Sequence, residues 1–209
     1  MKIGIIGIGM LGEAVVLNLL NSGHDVAVYN RTKEKTIEVE KKGAKVMDSP
    51  KTVAENVELI IIIVKDSIAV REVAFGENGI IESKNKKLIV ADMSTIDSIE
   101  SKNIANQFQQ NHIQKLEIPV MGGPNVAITG KLVMMVSGPK DSFDQCKTIF
   151  KKIANKVFFL GEQGIANSIK LAMNLQITML ALSLSEGITL LKKANVDPKI
   201  FLEVLNSTY

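Results

Sequence analysis

"KIGIIGIGMLGEA", residues 2–14, is a short Ile-rich run that passes through Gly7, Gly9 and Gly12 into a helical pattern. A G-x-G-x-x-G spacing alone is weak, but placed between a strand and a helix it becomes specific. Gly7 allows the tight turn, Gly9 lets the backbone approach a pyrophosphate, and Gly12 permits close packing of helix on strand. The helix that begins here turns unbonded N–H groups and its positive dipole end toward the phosphates. Met10 and Leu11, inside the loop, belong to the same cofactor-lining set.

Outward from this loop the chain alternates. "DVAVYN" (25–30), "LIIIIV" (59–64) and "KLIVAD" (87–92) are Ile- and Val-rich and short enough for strands. Amphipathic stretches at 10–22, 32–42, 66–74 and 96–110 separate them. All-apolar strand cores imply burial on both faces, as in a parallel sheet, and strand–helix alternation predicts a doubly wound α/β fold. "LVMMVS" (132–137) and "KVFFL" (156–160) flank a further helix at 140–153. From Gln163 to about Lys193 one long helical pattern follows. "NVDP" (195–198) stops it and starts another, with Asp197 as cap and Pro198 in its first turn. The expected organisation is a dinucleotide-binding domain over 1–161, then over 162–209 a long inter-domain helix and the start of an all-helical region.

Composition narrows the function. The 209 residues are 46% hydrophobic and 22% charged, and 25 basic against 22 acidic residues leave a net charge of +3 with no basic block. Charge therefore gives no support for nucleic-acid binding. One cysteine, Cys146, cannot form an internal disulfide, and no His or Cys spacing suits a metal. A reducing, cytoplasmic setting is expected. Leu171 to Leu191 is long enough to span a bilayer. Asn174, Gln176, Thr178, Ser183, Ser185 and Glu186 make that costly, so a buried helix and no membrane partner are expected.

The end of the second strand, "VYNRTKEK", selects the cofactor. NAD sites place an acidic residue here to accept from the ribose hydroxyls; this chain has Asn30 and Arg31 instead. A carboxylate would repel a 2′-phosphate, whereas Arg31, Thr32 and Lys35 hold one through charge-assisted hydrogen bonds. NADP(H) is expected over NAD(H). Val64 and Lys65, ending the third apolar run, complete the cofactor-lining set.

Within the long helical pattern, "SIKLAMNL" (168–175) sets Lys170 and Asn174 four apart, on one helical face. They lie on a polar stripe of Gln163, Asn167, Lys170, Asn174 and Thr178, suited to a helix that lines a cleft.

With these motifs the chain resembles the β-hydroxyacid dehydrogenase family, which includes 3-hydroxyisobutyrate dehydrogenases and glyoxylate/succinic semialdehyde reductases. Four ordered segments carry the resemblance: residues 7–35, "DMST" (92–95), "PVMGGPNVAITGKL" (119–132) and "GEQGIANSIKLAMN" (161–174). It implies a Rossmann-type fold and hydride transfer between NADP(H) and a small β-hydroxy acid or aldehyde-acid. It also implies Lys170 as proton donor or acceptor with Asn174 assisting, Thr95 beside the nicotinamide, and substrate contacts from 119–132. In that last segment Gly122 and Gly123 would turn backbone N–H groups toward a substrate carboxylate from a loop. Ser94 is a weaker substrate candidate whose plainer role is to cap helix 96–110.

The departures are specific. Met121 stands where family members usually have serine, Met173 replaces an asparagine, Ala166 a glycine, and Ser98 a frequent proline. The family continues with a helical bundle that closes over the cleft. The chain ends before it, which predicts a covering second copy (a homo-oligomer through the 163–193 helix) or a shortened form. A rival expectation is an NADP(H)-binding module without turnover. An imine reductase shares the expected architecture, but Lys170 argues against it.

Overall fold

A computed structural model describes residues 1–85 and 87–208. They divide into two compact units, Met1–Lys170 and Leu171–Tyr209.

In the first unit, β1 (Ile3–Ile6), β2 (Val26–Tyr29), β3 (Lys45–Val46), β4 (Leu59–Ile62), β5 (Ile89–Asp92) and β6 (Gln114–Glu117) form a six-stranded sheet. Its order is β3-β2-β1-β4-β5-β6, and all its pairings are parallel. Successive side chains of a strand point to opposite faces, and both faces here are covered. Ile3, Ile5, Leu59 and Ile61 join one buried cluster, while Ile6, Ile60, Ile62 and Val90 join another with Ile104 and Phe108. That is why "LIIIIV" carries no alternation: neither face meets water.

The helices of this unit are α1 (Met10–Asn21), α2 (Ile37–Lys41), α3 (Pro50–Asn56), α4 (Ser67–Phe75), α5 (Ser98–Gln110), α6 (Pro124–Ala127) and α7 (Lys140–Ile153). The expected helix 32–42 is broken: a 3-10 turn over Lys33–Thr36 precedes the short α2. The Thr36 hydroxyl donates to the Lys33 carbonyl at 2.7 Å, which closes that turn locally. A capping box of Ser49 and Thr52 starts α3, with Pro50 in its first turn. Arg71 of α4 pairs with Glu100 of α5 and holds its carboxyl below the usual carboxylate range. On α7, burial pushes the Cys146 thiol up to about 12, which makes it an inert core residue.

A second, three-stranded sheet consists of β7 (Val120–Met121), β8 (Leu132–Val136) and β9 (Ala154–Phe159). β7 runs antiparallel to β8, and β8 runs parallel to β9. The expected loop at "PVMGGP" is therefore partly ordered. Val120 and Met121 pair with Met134 and Val133, and Gly122, at φ +113, releases the chain into α6.

α8 (Ile165–Lys193) begins in the first unit, where Ala166 and Asn167 are buried. Its remainder forms the second unit with α9 (Pro198–Thr208). Asp197 caps α9 by accepting from Lys199 N at 3.0 Å, and Phe201 lies over Gly187 of α8. The expectation of a buried helix is corrected: from Leu171 onward α8 is largely exposed, with Leu175 at 64%, Leu180 at 60% and Leu190 at 69%. Within the second unit, the 11-residue α9 is too short to cover a helix of 29 residues. α8 is also long and apolar enough to cross a membrane by length and composition.

Candidate functional site

In a doubly wound sheet, ligands bind beyond the carboxyl ends of the strands, where the strand order reverses. Here the order reverses between β1 and β4, which pair directly. Backbone bonds extend past the strand ends along this edge. Gly7 N donates to Tyr29 O (2.9 Å), Ile63 N to Ile6 O (2.8 Å), Met93 N to Ile62 O (2.8 Å) and Ile118 N to Asp92 O (2.7 Å). Four of the segments picked out in the sequence thus emerge side by side.

The glycine loop divides by role. A side chain at Gly7 would collide with the Ile63 carbonyl oxygen, and its φ of +103 disfavours any L side chain. A Cβ at Gly12 would collide with the Gly7 carbonyl, so α1 rests directly on the turn. At Gly9 the same Cβ would meet nothing within 4 Å. Gly9 is also where α1 begins, and no side chain caps that end. Open space against an uncapped, 12-residue helix fits a dinucleotide pyrophosphate. Met10 beside it is exposed at 81%.

Asn30, grouped from sequence with the cofactor-selecting residues, has both ends of its amide engaged. Its Oδ1 accepts from Ile8 N at 2.9 Å and its Nδ2 donates to Thr32 O at 2.6 Å. It ties the glycine loop to the segment after β2 and leaves Arg31, Thr32 and Lys35 exposed beside that segment. Across the edge, Val64 N donates to Ser94 Oγ at 3.1 Å, while Lys65 is exposed. The cap role for Ser94 is corrected. Asp97 caps α5 by accepting from Ile99 N (2.9 Å) and Glu100 N (3.0 Å), and Ser94 is buried beneath the edge. Thr95, next to it, is half-buried.

Gly122 and Gly123 are exposed, and Gly123 precedes α6. Met121 reaches Lys170, whose Nζ lies 3.2 Å from the Met121 Sδ. A thioether is a weak acceptor, and none of the ion pairs among the described residues includes Lys170. Burial lowers the Lys170 pKa from its ordinary value. Desolvation disfavours the charged form of such an amine, and no carboxylate among the described residues offsets it. Asn174 belongs to the second unit and is exposed; the Thr178 hydroxyl donates to its backbone carbonyl at 2.9 Å.

The polar stripe splits. Gln163 donates to the Lys115 carbonyl, and Asn167 is wholly buried, so these two members build structure. The sequence reading missed their partners. Asp92 and Lys115 form an ion pair at 3.7 Å with both side chains fully buried, and Glu117 is buried too. Burial pushes the Asp92 carboxyl above the usual carboxylate range, against the pull of Lys115. The one available signal was "DMST" itself, an acid directly after an apolar strand core.

Comparison with known proteins agrees with this geometry. Residues 2–161 match the family described as the NAD binding domain of 6-phosphogluconate dehydrogenase. The probable mitochondrial 3-hydroxyisobutyrate dehydrogenase of Dictyostelium discoideum is 30% identical over 99% of this chain and 64% of its own length. Glyoxylate/succinic semialdehyde reductase 2, chloroplastic, of Arabidopsis thaliana is 32% identical over 98% of this chain and 57% of its own length. The solved structure of Psf3 in complex with NADP+ and 2-OPP superposes with a TM-score of 0.90 at 26% identity, covering 98% of this chain and 72% of Psf3. With the strand order and the glycine loop in agreement with the family match, the chain belongs to the 6-phosphogluconate dehydrogenase NAD-binding-domain family, and it is similar to hydroxyacid-dehydrogenase and aldehyde-acid-reductase relatives within it.

Proposed function

We propose that the protein moves a hydride between NADP(H) and a small β-hydroxy acid or aldehyde-acid. The observation that carries this reading is Lys170, half-buried, unpaired with any described carboxylate, and in contact with a thioether. The bound cofactor supplies or accepts the hydride; the residues of this chain manage charge and protons around it. Reduction of a carbonyl leaves an alkoxide that needs a proton, and Lys170 Nζ gives it; in oxidation the same nitrogen takes it back. Asn174, one helical turn on, assists without adding charge. Thr95 borders the reactive ring, and Gly122 and Gly123 hold the substrate carboxylate. Met121 makes the neighbourhood of Lys170 more apolar than a serine would, which favours substrates without a second hydroxyl there.

Preference for NADP(H) rests on Arg31, with Thr32 and Lys35, exposed where an NAD site would carry an acid. The test follows NADPH and NADH absorbance with a panel that includes glyoxylate and succinic semialdehyde. Arg31→Ala should weaken NADPH at least ~10-fold, the order of one charge-assisted contact, and leave NADH nearly unchanged. Equal losses for both cofactors would remove the 2′-phosphate role. Tight NADPH binding with no oxidation by any member of the panel would favour the rival reading, a binding module without turnover.

The apolar residues that α8 exposes in the second unit are assigned to contact with a second copy of the chain, since such a surface is costly in water. Sedimentation of the 209-residue chain should show a dimer or larger species, which Leu175→Glu with Leu180→Glu weakens. A monodisperse monomer counts against this assignment. The single cysteine supports a cytoplasmic location, which stays part of the same proposal.

A further inference from the structure

The first turn of α8 is held by side chains from three other elements. Glu117, at the end of β6, is fully buried, and its carboxylate accepts from Gly164 N at 2.6 Å and Asn167 N at 3.3 Å. Ser137 Oγ accepts from Ala166 N at 2.9 Å. The N–H groups that normally stand open at a helix start are thereby satisfied inside the protein. The Glu117 carboxyl also sits at the positive end of the helix dipole.

Asn167, likewise fully buried, faces the other way. Its Oδ1 accepts from Ile96 N at 3.3 Å and its Nδ2 donates to Ser101 Oγ at 3.3 Å. Ser101 Oγ also accepts from Lys115 Nζ at 2.9 Å, and Lys115 is the ion-pair partner of Asp92. Asp92 Oδ1 in turn accepts from Ser94 N at 3.0 Å. One buried chain of polar contacts thus runs from the α8 start to the 94–96 segment at the end of β5. Burying two carboxylates and one ammonium is expensive, and an apolar core of the same volume would serve stability as well or better. What the polar network adds is direction: each contact fixes an angle as well as a distance.

We infer that Glu117 and Asn167 are positioning residues for Lys170, joining the first turn of its helix to the segment that carries Thr95. Lys170 follows Asn167 by three residues, roughly 4.5 Å along the helix axis. A tilt of that first turn moves the amine directly, and a shift of about 1 Å at a reacting group costs up to ~100-fold in rate. The inference rests on the proposed role of Lys170.

The test compares Asn167→Ala, Glu117→Ala and Glu117→Gln, with kcat, KM and NADPH affinity measured well below each melting temperature. Asn167→Ala should lower kcat ~10- to 100-fold with KM and NADPH affinity within about 2-fold. Glu117→Gln keeps one carbonyl oxygen for Gly164 N and should recover part of the activity lost in Glu117→Ala. Folded variants with wild-type kcat overturn the inference, as do parallel losses of kcat and NADPH affinity, which signify general loosening. Amide hydrogen exchange gives a readout independent of turnover: Asn167→Ala should speed exchange at 164–170 and at 94–96 together. Faster exchange on one side only overturns the coupling. Failure of the Lys170 reading itself has a separate signature, namely Lys170→Ala with undiminished turnover while both segments still loosen together in Asn167→Ala.

Discussion

Lys170→Ala should lower kcat by roughly 10²- to 10⁴-fold, the usual contribution of a positioned acid–base group, while NADPH binding stays at its wild-type value. The separation follows from place. Lys170 contacts Met121, whereas the glycine loop that fits the pyrophosphate is built from Gly7, Gly9 and Gly12. Folding should survive the change, because burial already disfavours the charged amine. The pH dependence has a definite sign. Carbonyl reduction needs the protonated amine, so its rate falls as pH rises through the lowered Lys170 pKa. Alcohol oxidation needs the neutral amine and rises over the same interval. Both limbs should disappear in Lys170→Ala. Steady-state rates from pH 6 to 11 in each direction check this, and a variant with wild-type kcat would end the assignment.

Substitutions in the glycine loop should separate folding from cofactor binding. Gly7→Ala and Gly12→Ala each drive a methyl into a backbone carbonyl, and Gly7 adds a φ of +103. Neither carbonyl can swing aside as a side chain could. Strain and overpacking of this kind cost about 3 kcal/mol or more, a large part of a typical total stability of 5–15 kcal/mol. These variants should express poorly or melt many degrees lower. Gly9→Ala has open space and an ordinary φ of −89, so its melting temperature should match wild type. Its methyl occupies the space where a pyrophosphate would approach the backbone, and NADPH affinity should fall ~10- to 100-fold, or about 1.4 to 2.7 kcal/mol. Thermal melts with and without NADPH distinguish the classes. A Gly9→Ala chain with full NADPH affinity would place the cofactor elsewhere.

Parts of this molecule were legible because the physics behind them is local. A strand buried on both faces is ordinarily apolar on both, and β1, β2, β4 and the Ile-Val-Ala core of β5 announce themselves that way. A backbone pressed against another backbone must be glycine, which marks Gly7 and Gly12. β6 and β7 stayed hidden because "QKLE" puts two charges into four residues and "VM" is too short to show a period. Charges ordinarily signal solvent, and β6 defies that rule because Lys115 finds Asp92 and Glu117 finds the start of α8.

The strand and helix pattern of the doubly wound sheet, the glycine loop and the place of Lys170 on a helix could all be read from the residues alone, since each shows in neighbours a few positions apart. Only the folded chain reveals that Met121, 49 residues away, is the partner of Lys170, and that Asn30 braces the glycine loop through Ile8. It alone turned Asn167 from a cleft-lining residue into a buried strut. Such roles depend on which groups meet after the chain closes, and a buried polar atom takes whatever partner the fold brings within hydrogen-bonding reach.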